Sequence, residues 1–303
     1  MSVDFCGLRL AHPIINGSGT FDAIAARRAF GEQLREDFPF AAYVSKTITL
    51  EPRAGNPPPR LWEAAGGLVN SIGLPNKGLD GYIREDLPQL AELTTSLGGG
   101  EDGRPRSVPL ITNVMGSTTE ELARLVEACD ARAEIAAIEL NVSCPNVKTG
   151  LDIGADPRQL EQVVRAVRGR SAKPLIVKLT PNTADVAACA QAAQHGGADA
   201  VSLINTLRAS ALTPDARPRR AWLGGGAGGL SGPAIRTVAL AQVAAVAARV
   251  SIAVVGMGGV QSAAHARELI DVGATLVAVG TESFRDPAAG ARIARGLDEP
   301  AGA

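Results

Sequence analysis

Eight apolar, largely β-branched runs alternate with helical patterns along the chain, and this alternation limits the fold more than any other feature. The runs are Pro13–Asn16, Ala42–Thr47, Pro109–Val114, Ile135–Asn141, Leu175–Leu179, Ala200–Asn205, Ala253–Gly256 and Leu276–Gly280. Helical periodicity falls at Ile24–Arg35, Leu79–Ser96, Thr119–Ala131, Pro157–Gly169, Ala184–His195, Pro233–Ala248, Ser262–Val272 and Pro287–Leu297. Strands that are apolar throughout and separated by helices belong to a parallel sheet covered on both faces. Eight such units in 303 residues predict a (β/α)8 barrel, residues 1–303 forming a single domain with long βα-loop insertions over its carboxyl end. A doubly wound sheet is the rival arrangement.

Composition excludes several classes of function. Apolar residues make up 46% of the chain, and 30 Lys+Arg against 31 Asp+Glu leave it near neutral. The longest basic run is Arg217-Pro218-Arg219-Arg220. Neither nucleic acid nor an anionic membrane is favoured as a partner. The amino terminus lacks the pattern of a secretory signal, and no apolar stretch reaches the ~20 residues of a spanning helix. Cys6, Cys129, Cys144 and Cys189 are scattered without the close pairs of a zinc or iron–sulfur site, so no metal centre and a soluble, cytoplasmic setting are expected.

The fourth run ends in Glu139-Leu140-Asn141-Val142-Ser143-Cys144-Pro145-Asn146, a cluster of amides, a hydroxyl and a thiol at a buried strand end. Buried polar groups must find partners or cost free energy, so the cluster suggests a site. Cys144 is its reactive candidate, since a thiol titrates near ~8.5 and acts as base or nucleophile in a suitable environment. The alternative is a small cysteine packed in a tight turn.

Other strand ends add Ser18 with Gly19, Lys46 with Thr47, Asn113, Asn141, Lys178, and Asn205 with Thr206. Two lysines at the ends of apolar strands need an anion or an electron-rich ring beside them. Gly256-Met257-Gly258-Gly259 and Gly280-Thr281-Glu282-Ser283 follow runs seven and eight, the habitual phosphate site of this barrel. Two connections, Leu50 to Gly78 and Leu207 to Gly232, exceed simple βα loops. The first is stiffened by prolines and the second carries Gly224–Gly226 and Gly228-Gly229, so a braced wall and a hinged cover are expected around the mouth. Trp62 and Trp222 fall in these loops and either line the mouth or anchor the loops; His12, His195 and His265 read as structural.

At this point an ordered series of motifs resembles a known family. It comprises Asn16-Gly17-Ser18-Gly19, Ser45-Lys46-Thr47, Leu50-Glu51-Pro52-Arg53, Gly55-Asn56-Pro57-Pro58-Pro59-Arg60, Asn70-Ser71-Ile72-Gly73-Leu74-Pro75-Asn76, Asn141-Val142-Ser143-Cys144-Pro145-Asn146, Val177-Lys178-Leu179-Thr180-Pro181-Asn182 and Gly228-Gly229-Leu230-Ser231-Gly232-Pro233. The series is similar to that of the class 1 FMN-dependent dihydroorotate dehydrogenases and covers nearly the whole chain. The resemblance implies FMN held by Ser18, Lys46, Thr47, Asn113, Asn141, Lys178, Ile204, Gly232, Gly258, Gly259, Gly280 and Thr281. It implies dihydroorotate or orotate held by Lys46, Asn70, Ser71, Ile72, Gly73, Leu74, Asn141, Asn205 and Thr206. Cys144 takes the C5 proton in that scheme while hydride passes from C6 to flavin N5, and Lys46 and Lys178 complete the catalytic set.

Cysteine at position 144 and the Gly-Gly-Leu-Ser-Gly-Pro and Pro-Pro-Pro-Arg stretches resemble class 1B rather than the membrane-associated class 2. That implies a homodimer working with an FAD and [2Fe–2S] subunit that passes electrons to NAD. The chain departs from the family's pattern at Phe21-Asp22-Ala23-Ile24, at Val147–Ile153 and at Arg236-Thr237, which leaves the electron acceptor open. A uracil-type FMN oxidoreductase and a non-catalytic flavin-binding subunit remain as alternatives.

Overall fold

The computed structural model describes residues 2–98, 106–142, 152–214 and 217–299. Its centre is a parallel sheet of eight strands: β1 (Ile14–Asn16), β2 (Tyr43–Val44), β3 (Leu110–Val114), β4 (Ala137–Asn141), β5 (Leu175–Lys178), β6 (Ala200–Leu203), β7 (Ala253–Met257) and β8 (Leu276–Val279). Each coincides with one of the eight apolar runs. The sheet order is β1-β8-β7-β6-β5-β4-β3-β2, so consecutive strands are neighbours and only the gap between β1 and β2 remains to be bridged.

That gap is bridged largely by a side chain. Ala41 N–H donates to the Ile14 carbonyl at 2.9 Å. Above it, Asn16 Nδ2 donates to the Val44 carbonyl at 2.7 Å and Asn16 Oδ1 accepts from Val44 N–H at 2.8 Å. A carboxamide has the donor and acceptor of a peptide group, so Asn16 stands in for the missing ladder rung.

Ile15, Val44, Ile111, Ala137, Ile176, Ala200, Val255 and Leu276 fill the barrel lumen as one cluster, which Phe5 and Leu10 join. Both belong to a hairpin, Val3–Phe5 paired with Leu8–Leu10, that the sequence did not announce. Cys6 Sγ reaches the Asp199 carbonyl just before β6, so the hairpin plugs the amino end of the barrel. The carboxyl end is left for function.

Helices pack outside the sheet over a second, larger apolar layer that includes Val126, Leu160, Val164, Ala190, Val243, Leu269 and Ile293. Their starts are fixed by caps. Thr118, Asp156, Asp185 and Ser262 each accept a backbone N–H of the following first turn, satisfying one of the groups a helix start leaves over. Two predicted helices are broken: Gly31 separates Ala23–Phe30 from Gln33–Glu36, and a wider turn at Tyr82–Asp86 interrupts 78–95.

The two long connections depart most from expectation. They combine in one antiparallel sheet of order Leu207–Ala209, Gly228–Ser231, Gly67–Asn70, Leu61–Ala64. Several glycines of the second connection are closely packed. A Cβ on Gly229 would lie 1.9 Å from Thr206 Oγ1, and one on Gly224 would lie 2.0 Å from the Pro57 carbonyl oxygen. Glycine is needed there for close packing. Trp62 and Trp222 meet edge to face with ring centroids 5.5 Å apart, tying the two connections together.

Candidate functional site

The carboxyl ends of β3 to β6 carry a buried polar layer where the lower barrel is apolar. Asn113 lies opposite Glu139 in register, Asn141 opposite Lys178, and Lys178 opposite Ser202. Glu139 and Lys178 are only 4% and 6% exposed, which for charged side chains requires dedicated partners. Glu139 has two: Asn113 Nδ2 donates to its Oε2, and Ser202 Oγ donates to its Oε1 at 2.7 Å. The sequence reading included Glu139 in its central stretch but gave it no role, and it passed over Ser202.

A second chain of polar contacts lines the β1–β2 side. Ser18 Oγ donates to the Ser45 carbonyl at 2.8 Å and lies 3.4 Å from Thr47 Oγ1, which in turn accepts from Asn141 Nδ2 at 3.5 Å. Ser45 Oγ accepts from Asn113 N–H at 3.1 Å, joining this chain to the first. Lys46 is exposed, between the buried Ser45 and Thr47. Ser18, Thr47, Asn113 and Asn141, predicted from separate strand ends, therefore form one connected wall.

The glycine corner also converges. Gly232, Gly258 and Gly259 have φ of 95°, 135° and 70°, in the region that disfavours side chains. A Cβ on Gly259 would lie 3.0 Å from the Gly232 carbonyl oxygen, one on Gly258 3.3 Å from Ile204 Cγ1, and one on Gly232 3.6 Å from Thr281 Cγ2. Thr281 Oγ1 donates to Ser231 Oγ at 2.8 Å. The ends of β6, β7 and β8 thus meet the strand Gly228–Ser231, with backbone taking the place of side chains. Gly280 differs, since its Cβ would meet nothing nearer than Thr20 Cγ2 at 3.7 Å. There the surface stays open.

Residues 70–74 cross the mouth as the end of strand Gly67–Asn70 and the loop after it. Asn56 Nδ2 donates to Ser71 Oγ and to the Ser71 carbonyl at 3.1 and 3.2 Å, while Ser71 Oγ donates to the Ala227 carbonyl at 2.9 Å. Gly73 and Leu74 both have positive φ, 75° and 55°, and for leucine that conformation is strained. Asn70 Nδ2 donates to the Gly229 carbonyl at 3.2 Å. On the facing side Thr206 N–H donates to Asn205 Oδ1 at 2.8 Å, and Asn182 Nδ2 holds the Thr206 carbonyl at 3.1 Å. Asn56 and Asn182 brace the loops without having been assigned a role from sequence. Cys144, the predicted base, lies outside the described residues.

Comparison with known proteins fits this geometry. A family model described as dihydroorotate dehydrogenase matches residues 1–300. The chain belongs to the dihydroorotate dehydrogenase family. Among curated relatives, the dihydroorotate dehydrogenase B (NAD(+)) catalytic subunit of Trichlorobacter lovleyi is 44% identical over 303 residues, covering 99% of this chain and 92% of that one. The protein of the same description from Pelobacter propionicus is 44% identical over 299 residues, covering 98% and 92%. Relatives of this kind place the chain with the B type of the family, as its motifs implied. A crystal structure of DHODH in complex with ferulenol from Eimeria tenella superposes with a TM-score of 0.78 at 21% identity, over 98% of this chain and 83% of that one. At that identity it supports the barrel alone. Among the described residues, no helix is long and apolar enough to cross a membrane.

Proposed function

We propose that this dehydrogenase oxidises dihydroorotate to orotate with FMN as the bound electron acceptor. The observation that carries the cofactor reading is one buried atom: Asn113 Oδ1 has no hydrogen-bond partner among the described residues, in a layer where every other side chain named above is engaged. A bound flavin ring would supply an N–H for that oxygen, and the glycine corner would allow close backbone approach to a phosphate. Ser18, Lys46, Thr47, Asn113, Asn141, Lys178, Ile204, Gly232, Gly258, Gly259, Gly280 and Thr281 would hold FMN. When bound, it supplies a two-electron acceptor for hydride.

The chain's own residues do the remainder. Asn70, Asn141 and Asn205 offer both donors and acceptors, which suits the imide and carbonyl edges of a dihydropyrimidine ring better than carboxylates would. Ser71 to Leu74 and Thr206 close the same pocket, and Lys46 at its rim meets the substrate carboxylate. Cys144 takes the C5 proton. Lys178, buried in a layer shielded from water, would offer its ammonium group to negative charge developing beside it. Lys178→Met is expected to slow flavin reduction by dihydroorotate roughly 10²–10³-fold, measured by anaerobic stopped flow.

The relatives' description as the catalytic subunit of an NAD(+) enzyme supports a partner subunit that passes electrons to NAD, and the motif resemblance adds FAD and a [2Fe–2S] cluster in that partner and a homodimer of this chain. Anaerobic addition of dihydroorotate to the yellow protein tests the reaction itself. Bleaching by dihydroorotate and not by dihydrouracil is the expected result. Bleaching by dihydrouracil alone assigns the barrel to uracil-type bases, and a colourless protein that takes up no FMN removes the reading altogether.

A further inference from the structure

Glu139 is a carboxylate buried inside an apolar strand, and no step of the proposed reaction uses it. Its neighbours show what it controls. Ionised carboxylate oxygens only accept hydrogen bonds, and the two of Glu139 are taken by Ser202 Oγ, at 2.7 Å, and by Asn113 Nδ2. The contact therefore commits the Asn113 amide to one orientation, with its NH2 group toward β4 and its carbonyl oxygen left over. That oxygen is the buried atom without a partner.

We propose that Glu139 is a positioning residue that fixes the Asn113 amide so that its carbonyl, not its NH2, is offered to the bound flavin. The inference rests on the FMN reading above and deepens it. The oxidised isoalloxazine ring carries a single N–H, so the site must present an acceptor to it. With the amide reversed, that N–H would face another donor, and a desolvated acceptor elsewhere would go unpaired. Ser202, by taking the other carboxylate oxygen, keeps Glu139 from turning away.

A double-mutant cycle on FMN binding to the apoprotein tests the assignment. Glu139→Leu removes the acceptor and is expected to weaken FMN binding about tenfold. Glu139→Gln keeps the size, so it guards against a leucine variant that fails to fold. Glutamine can meet Asn113 with either its oxygen or its NH2, and a weaker loss of about threefold is expected. The Raman bands that report the flavin ring N–H hydrogen bond are expected to shift toward those of free FMN in both variants. In an Asn113→Ala background both losses should fall to within about twofold, because the residue through which Glu139 acts is gone. A variant at Glu139 that binds FMN as tightly as wild type, or one that carries its whole loss into the Asn113→Ala background, overturns the proposal. Wild-type apoprotein that binds no FMN overturns the cofactor reading beneath it.

Discussion

Cys144→Ala is expected to slow bleaching of the flavin by dihydroorotate about 10²–10⁴-fold while FMN remains bound, the range a positioned side-chain base contributes. The argument begins at β4, whose five residues are all buried and whose last, Asn141, already faces the site through Thr47. Cys144 follows Asn141 by three residues in the sequence. A base for C5 must stand on the substrate side of the flavin, and the wall's other side chains are mostly amides and hydroxyls, while its one named carboxylate, Glu139, is already engaged by Asn113 and Ser202. The wild-type rate should rise with pH as the thiol gives up its proton, and the alanine variant should lose that rise. Stopped-flow reduction across a pH series measures both. An alanine variant that reduces its flavin at the wild-type rate would give the proton to another group.

How far the sequence revealed this molecule depends on where each residue's partners lie. All eight barrel strands were legible because a strand covered on both faces is apolar along its length, and that requirement acts residue by residue. The caps Asp156 and Asp185, bound within their own first turns, carried an equally local signal that the sequence reading did not use. The four-stranded sheet over the mouth was not, because its pairing joins Asn70 to Gly229, and Gly67–Asn70 shows no alternation that would mark a strand by itself. The glycines from 224 to 229 look like a hinge in one dimension. Only in three dimensions do Thr206 and Pro57 fill the space that side chains at Gly229 and Gly224 would need. Glu139 offered a signal that went unused, a charge inside an apolar strand. Such a residue states that a partner exists without naming it, and Asn113 and Ser202 lie 26 and 63 residues away.

Asn16→Leu is expected to remove the rung that closes the barrel. The leucine fills a similar volume but offers neither donor nor acceptor, so Val44 keeps a buried N–H and a buried carbonyl with nothing to meet them. Each orphaned group costs about 1–3 kcal/mol, giving roughly 2–6 kcal/mol for the pair. The Ala41 to Ile14 bond cannot compensate, since it lies on the amino-terminal side of the gap, and the loss falls next to Ser18 and Thr47 in the proposed FMN wall. Asn16→Asp separates the two bonds: it still accepts from Val44 N–H but sets a carboxylate against the Val44 carbonyl, so its loss should be at least as large. Urea denaturation of both variants measures the effect as a lower midpoint at unchanged slope. A leucine variant whose midpoint matches wild type would mean that backbone contacts alone hold β1 to β2, and that the amide of Asn16 serves the site rather than the seam.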